Sequence, residues 1–97
     1  MLNFSFLEIA EIELQDAIAH YQGKEPWLGI AFLEEAERAI ERMLQFPEAC
    51  PKILGEYRRC QLRRFPYHLI YIIEKDLLFI VAVMHAGQKP DYWRHRL

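Results

Sequence analysis

The sequence predicts an α+β fold in which an N-terminal helical hairpin packs on one face of an antiparallel sheet of three to four strands. Apolar residues in the first half recur every three or four positions, as they do along the buried face of a helix. From Arg58 onward the period changes to two, which is typical of strands. Hydrophobic residues make up 53% of the 97, enough for one packed core. We therefore expect a single domain over residues 1–97.

The N-terminal segment predicts a short strand followed by a first helix. Leu2–Ser5 alternates, and we expect this strand at an edge of the sheet or paired with the last strand. Ser5 and Glu8 have the spacing of a capping box at a helix start. Gly23 is predicted to end the helix, and Pro26 prevents its continuation. The apolar stripe of this helix consists of Ala10, Leu14, Ala17, Ile18 and Tyr21.

A second helix is predicted to start near Trp27–Gly29 and to stop at Pro47. Glu34 and Arg38 form a favourable pair on one side of it. Because only a short Gly/Pro connection separates the two helices, they predict an antiparallel hairpin. The apolar stripe of the second helix consists of Phe32, Ala36, Ala39, Ile40 and Met43.

Three strands are predicted in the second half, giving the order β-α-α-β-β-β. The first covers Arg58–Arg64, and Phe65-Pro66 interrupts it as a turn or bulge. Tyr67–Ile73 and Leu78–Val83 follow, with Lys75-Asp76 as the hairpin turn between them. Because Tyr67 and Tyr71 share strand parity with Leu69 and Ile73, we expect them in the core, and stacking on a substrate is the alternative. The face of the sheet away from the helices should stay partly open.

The charges are divided unequally along the chain. Residues 1–50 carry ten acidic and three basic side chains, whereas residues 51–97 carry four acidic and nine basic ones. This division predicts a positive surface that binds an acidic macromolecule. Solvation of an ordinary surface strand is the simpler alternative for the arginines. We expect Trp93 to pack inward and Arg94, His95 and Arg96 to point outward. The predicted partner-binding residues are Arg58, Arg59, Arg63, Arg64, Tyr92, Trp93, Arg94 and Arg96.

Several classes of protein are not expected. Cys50 and Cys60 are too few for a disulfide framework or a four-ligand metal site, and we interpret them as reduced, partly buried apolar residues. The four histidines are scattered, so no metal and no cofactor is predicted. Neither a signal peptide nor a membrane span is indicated. The expected location is the cytoplasm.

Two motifs resemble a known family of small bacterial toxins. One is Arg63-Arg64-Phe65-Pro66-Tyr67-x-Leu69-Ile70-Tyr71, and the other is His85-x-x-x-x-Pro90-x-Tyr92-Trp93-x-x-Arg96. Together with the Ala17-Ile18-x-x-Tyr21 segment and the element order, they are similar to the ParE group of RelE/ParE toxins, also called plasmid-stabilisation proteins. The resemblance extends from Phe4 to Arg96.

The resemblance implies the toxin of a type II toxin–antitoxin pair that inhibits DNA gyrase and has no catalytic residues of its own. A cognate antitoxin would neutralise it, through an acidic amphipathic segment that wraps the helical hairpin and adds a helix or strand beside the sheet. A homodimer or a toxin–antitoxin hetero-oligomer is expected, and direct binding of nucleic acid stays open.

RelE-like relatives are ribosome-dependent messenger endoribonucleases that need no metal, so this activity is an alternative. Its residues here would be Arg64, His68, His85 and Tyr92. The ribonuclease branch carries an arginine where this chain has His68, which is a poorer phosphate clamp. His85 has the alternative role of capping a strand end. An inactive toxin relic is a further alternative.

Overall fold

The computed structural model describes residues 2–97, which form two α-helices and five β-strands. Met1, the first residue of the predicted domain, lies outside the described residues. The elements in chain order are β1 (Asn3–Phe6), α1 (Glu8–Lys24), α2 (Pro26–Gln45), β2 (Lys52–Leu54), β3 (Tyr57–Gln61), β4 (Tyr67–Glu74) and β5 (Leu77–His85).

The sheet is mixed and has five strands in the order β1-β5-β4-β3-β2. The prediction of an antiparallel sheet with three to four strands is therefore wrong in strand number and direction. β1 pairs in parallel with β5, with Phe4 opposite Leu78, while the other pairs are antiparallel. The alternation within β1 indicated a strand, but it carries no information about direction. The position of β1 was predicted correctly, because it lies at an edge and pairs with the last strand.

The helices follow the predicted stripes but differ at their ends. α1 begins at Glu8, and Leu7 caps it without a side-chain hydrogen bond. The predicted capping box is wrong because Ser5 lies in β1, opposite Phe79. Gly23 lies within α1, which continues to Lys24. Pro26 is the first residue of α2, where its fixed φ suits a helix start and its missing N–H costs nothing.

The two helices pack closely where they cross at Gly29. A Cβ atom at this position would lie 2.9 Å from Cβ of Gln22 and 3.2 Å from the carbonyl oxygen of Ile18. Glycine therefore allows the backbones to approach. Arg38 pairs with the buried Glu35 at 3.0 Å and not with Glu34 as predicted.

The core has one layer on each side of the sheet. On the helix side, Tyr71 is fully buried and its hydroxyl donates to the carbonyl of Pro47 at 2.8 Å. Tyr67 is half-buried there and contacts the ring of Phe32 edge-on, with 5.0 Å between centroids. These positions confirm that both tyrosines serve the core. A smaller cluster on the other side consists of Ile70, Val81, Ala82, Met84 and Trp93.

Candidate functional site

Side chains occupy the edge of β5 beyond the point where β1 ends. β1 pairs with β5 only as far as Ile80, so on this side of β5 the next backbone groups lack a neighbouring strand. The N–H of Val83 donates to Oε1 of Glu13 at 3.0 Å. The carbonyl of Val81 accepts from Nη1 of Arg96 at 3.0 Å. These contacts provide hydrogen-bond partners for backbone groups that would otherwise have none on this edge, and they prevent another strand from pairing there.

Glu13 is the centre of this arrangement, which we call the Glu13 clamp (Glu13, Val83, Tyr92 and Arg96). Arg96 binds the carboxylate with both Nη atoms at 2.8 Å, in the two-pronged geometry that suits guanidinium and carboxylate. The Tyr92 hydroxyl donates to Oε2 at 2.7 Å. Burial opposes ionisation of Glu13, but hydrogen bonds from Arg96, Tyr92 and Val83 hold its pKa below the usual range. Burial and the carboxylate raise the pKa of Tyr92.

The clamp fixes the C-terminal tail, residues 86–97, against the sheet. The side chain of Arg96 is only 9% exposed, so the prediction that it points outward is wrong. Its partner lies 83 positions earlier in the chain, too far for any local pattern to indicate. Arg94 and His95 are exposed, as predicted. Successive i→i+3 hydrogen bonds give the tail the form of short helical turns.

Trp93 packs inward, as predicted, and covers part of the sheet face that is opposite to the helices. Its side chain is 2% exposed, and its indole N–H donates to the carbonyl of Pro90 at 2.8 Å. Its ring contacts Tyr57, with 4.9 Å between centroids. The indole therefore serves the core and is not presented at the surface.

A groove of about 370 Å³ lies beside Trp93, between the tail and strands β2 to β5. We call it the sheet groove, and its lining residues are Ile53, Leu54, Arg59, Ile70, Met84, Pro90, Asp91, Trp93 and Arg94. Arg59 is exposed in it, and Arg94 is 63% exposed with a weak contact to Asp91 at 3.5 Å. The groove thus combines an apolar floor with two cations at its rim, which suits an acidic amphipathic ligand.

The predicted positive surface is not continuous. Arg59 and Arg94 line the sheet groove, and Arg63 and Arg64 are exposed in the connection between β3 and β4. Arg58 shares strand parity with buried Cys60 and donates to the carbonyls of Glu48 at 2.9 Å and Cys50 at 2.7 Å. Arg58 and Arg96 therefore stabilise the fold, and four of the six arginines remain available to a partner.

The four residues proposed for a ribonuclease are not brought together. His68 is buried on the groove side of β4, and its Nδ1 has no hydrogen-bond partner. Burial, with the charge of Arg59, lowers its pKa. His85 lies on the helix side, edge-on to Tyr67 at 5.1 Å. The hydroxyl of Tyr92 is bound to Glu13. Arg64 is exposed, and its guanidinium lies 5.9 Å from the centre of the Phe65 ring.

His85 has the predicted capping role at the end of β5. Its Nδ1 accepts from the N–H of Gly87 at 2.9 Å, and its own N–H donates to Oε1 of Gln88 at 2.9 Å. The side chain remains exposed in a shallow cavity on the helix side, lined by residues that include Asp16 and His20. The contacts that the histidine makes here close the turn that starts the tail.

Sequence reasoning missed two carboxylates that organise the molecule, Glu13 and Glu35. Glu35 is 3% exposed and accepts the N–H of Arg63 at 2.8 Å, which fixes the start of the β3–β4 connection. Burial opposes ionisation of Glu35, but the bonds from Arg63 and Arg38 lower its pKa. A signal was present in the sequence. Both glutamates fall on the apolar stripes of their helices, where a carboxylate needs a buried partner.

Residues 2–97 contain no helix long and apolar enough to cross a membrane. Within the same residues, no group of three or more His, Cys, Asp or Glu side chains could hold a metal ion.

Two solved structures have the same fold as this chain. A chain from the chromosomal ParDE TA system of P. aeruginosa superposes with a TM-score of 0.78 and 14% identity, over 90% of this chain and 98% of that one. The isolated RelE toxin of E. coli superposes with a TM-score of 0.68 and 23% identity, over 95% of this chain and 92% of that one. This chain therefore shares its fold with both of these proteins.

The sequence itself gives the narrower assignment. The family model described as ParE toxin of type II toxin-antitoxin system, parDE, matches residues 5–90. The chain belongs to this family, which confirms the resemblance found in its motifs. Comparison with curated protein sequences gives no significant match.

Proposed function

We propose that this toxin acts by binding DNA gyrase, without catalytic residues of its own, and that a cognate antitoxin neutralises it. One observation carries the proposal: the candidate catalytic groups lie apart, whereas a groove with an apolar floor and two exposed arginines is open to a macromolecule. We expect the protein in the cytoplasm, as a homodimer or a toxin–antitoxin hetero-oligomer.

The separation of the candidate catalytic groups supports a binding mechanism. Metal-free cleavage of RNA needs a base, an acid and a fixed cation within reach of one phosphate. His68 and His85 lie on opposite faces of the sheet, so they do not reach one phosphate together. Tyr92 is bound to a carboxylate that raises its pKa, which makes it a poorer acid.

The gyrase proposal is tested by incubating the purified protein with gyrase and plasmid DNA. We expect loss of supercoiling and accumulation of a trapped cleavage complex. The Arg59→Ala/Arg94→Ala variant should inhibit at least ~10-fold less, since it removes both exposed cations of the groove. Lys24→Ala is the matched control, because it removes a positive charge from an exposed helix end outside the groove. Unchanged supercoiling with no trapped complex at high excess of wild-type protein contradicts the proposal.

Two exposed surfaces suit an antitoxin. The sheet groove offers cations to an acidic segment. On the helical hairpin, Trp27, Ile30 and Leu33 form an apolar stripe along α2, with exposed fractions of 59%, 62% and 37%. A segment that folds on binding would cover such a stripe.

The antitoxin proposal is tested by co-expression with the product of a short adjacent reading frame that encodes an acidic protein. We expect a stable complex and restored growth. Trp27→Ser should weaken the complex at least ~10-fold without unfolding the toxin, because large aromatic side chains contribute most interface energy. Failure of every adjacent acidic product to bind counts against the pairing.

Ribosome-dependent cleavage of messenger RNA is the alternative function. It is favoured by the position of His68, which lies on the same face of the sheet as Arg59, and by the shared fold with RelE. Primer extension on messenger RNA from induced cells distinguishes the two functions. Cleavage at fixed positions within codons supports the ribonuclease, and intact messenger RNA supports gyrase as the target. If induction leaves growth unaffected, the chain is an inactive relic.

A further inference from the structure

The two cysteines are neighbours where the chain enters the sheet, since Cys50 contributes to the raised pKa of Cys60. In the antiparallel pair of β2 and β3, Lys52 is opposite Arg58. The N–H of Arg59 donates to the carbonyl of Pro51 at 3.1 Å, so the same register continues one residue outward. If this register is extended by one further residue, Cys50 falls opposite Cys60. Cys60 is 5% exposed in the helix-side core, and Cys50 is half-buried.

A pair in this register has the spacing that a disulfide requires. The Pro51–Arg59 pair carries the ladder hydrogen bond, so Cys50 and Cys60 form the adjacent non-hydrogen-bonded pair, in which the Cα atoms approach to about 4.5 Å. Disulfides form at Cα separations of roughly 4.4–6.8 Å when both side chains point to the same face. Cys50 packs against the same core cluster that contains Cys60, which puts both thiols on the helix side of the sheet.

We propose that Cys50 and Cys60 form a reversible intramolecular disulfide when the folded protein meets a peroxide, and that this bond braces the outer wall of the sheet groove. The Cys50 thiolate attacks one oxygen of hydrogen peroxide and breaks the O–O bond. This leaves a sulfenic acid on Cys50 and hydroxide, which takes up a proton to become water. The Cys60 thiolate then attacks the Cys50 sulfur and expels a second hydroxide, which also becomes water. Two thiols lose two electrons, and the peroxide gains them.

The surroundings assign the order of the two thiols. Cys50 is the one that a small oxidant reaches first, because it is half-buried in the exposed connection between α2 and β2. Burial and the neighbouring Cys50 raise the pKa of Cys60 to about 11, so it reacts second, by contact with the sulfur beside it. Arg58 and Tyr71 already hold this connection, through the carbonyls of Cys50 and Pro47.

The bond would act on the sheet groove because Ile53 and Leu54, which line the groove, lie only three and four residues after Cys50. β2 is the shortest strand of the sheet, with three residues, and its register against β3 is irregular. A covalent link between Cys50 and Cys60 would prevent β2 from separating from β3. Closing a loop of this length predicts a rise in Tm of roughly 5–15 °C.

In the test, the reduced full-length protein is treated with hydrogen peroxide and then with iodoacetamide, and its intact mass is measured by mass spectrometry. We expect a monomer that is lighter by two hydrogen atoms, carries no alkyl group and returns to two free thiols on reduction. The same treatment in guanidinium chloride should give far less of this species, because the register no longer holds the thiols together. The oxidised protein should melt at the higher temperature.

Two variants separate the roles of the thiols. Cys60→Ala should stop at a Cys50 sulfenic acid that dimedone labels, whereas Cys50→Ser should give no label because Cys60 is buried. Cys50 is half-buried, so serine there leaves the fold intact even if the core variant is unstable. Alkylation of both thiols after peroxide, disulfides only between chains, or dimedone labelling of Cys50→Ser overturns the proposal. An unchanged or lower Tm overturns the bracing of the groove.

Discussion

The Glu13 clamp makes a sharp prediction for Glu13→Gln. Glutamine keeps the size of the side chain and an acceptor for one donor, but it loses the charge that binds both Nη atoms of Arg96. Removing one partner of a buried ion pair costs about 3–5 kcal/mol. Here the side chains are 19% and 9% exposed, so water relieves part of the loss. We therefore expect a loss of about 2 kcal/mol for glutamine, which corresponds to a fall in Tm of roughly 8–16 °C.

Urea unfolding followed by tryptophan fluorescence measures this loss, since Trp93 is attached to the segment that the clamp holds. Glu11→Gln is the matched control, because Glu11 lies exposed on the same helix and should change the free energy of unfolding by less than about 0.5 kcal/mol. A double-mutant cycle with Arg96→Gln should give a coupling of at least about 1 kcal/mol. If Glu13→Gln unfolds at the same urea concentration as its control, Glu13 does not organise the tail.

Three further outcomes are expected. The pKa of Glu13 is lowered on folding, so the stability that its charge provides is complete above the unfolded pKa of 4.5 and is lost as pH falls through the folded pKa. The free energy of unfolding in urea should therefore fall more steeply between pH 6 and 3 for wild type than for Glu13→Gln. Trp93→Ala should lower the free energy of unfolding in urea by about 3–5 kcal/mol, whereas Trp27→Ala should change it by less than about 0.5 kcal/mol. Equal effects of the two substitutions would contradict the assignment of Trp93 to the core. Arg58→Ala should lower the free energy of unfolding by about 1–2 kcal/mol, because two backbone carbonyls lose their donor. Arg59→Ala should leave it unchanged in the same assay. The reverse order would mean that the faces of β3 are misassigned.

The features that the sequence predicted well are those with local signals. The helical stripes, the Lys75-Asp76 turn and the two core tyrosines depend on spacing within a few residues. β2 was missed because it has three residues between Pro51 and Gly55, too few to show alternation. The direction of β1 was missed because a strand pattern is the same in both directions.

The arginines show where counting charges fails. Their number predicted a basic surface, but the face of each side chain depends on parity and on distant partners. Alternation around Cys60 already indicated that Arg58 points inward, so this error was avoidable. The buried position of Arg96 was not predictable in the same way, because the carboxylate that binds it belongs to Glu13 in α1. The glutamate on the α1 stripe indicated only that some buried cation was needed.

The parallel pairing of β1 with β5 affects how the molecule is assembled. Its partners, such as Phe4 and Leu78, are 74 positions apart, whereas the helical hairpin and the β2–β5 meander join neighbours in the chain. Closing the longest loop costs the most entropy, so β1 should dock last. Until it does, the vacant edge of β5 accepts the same strand from another molecule. Refolding at high concentration should therefore yield strand-exchanged dimers, and dilute refolding should not.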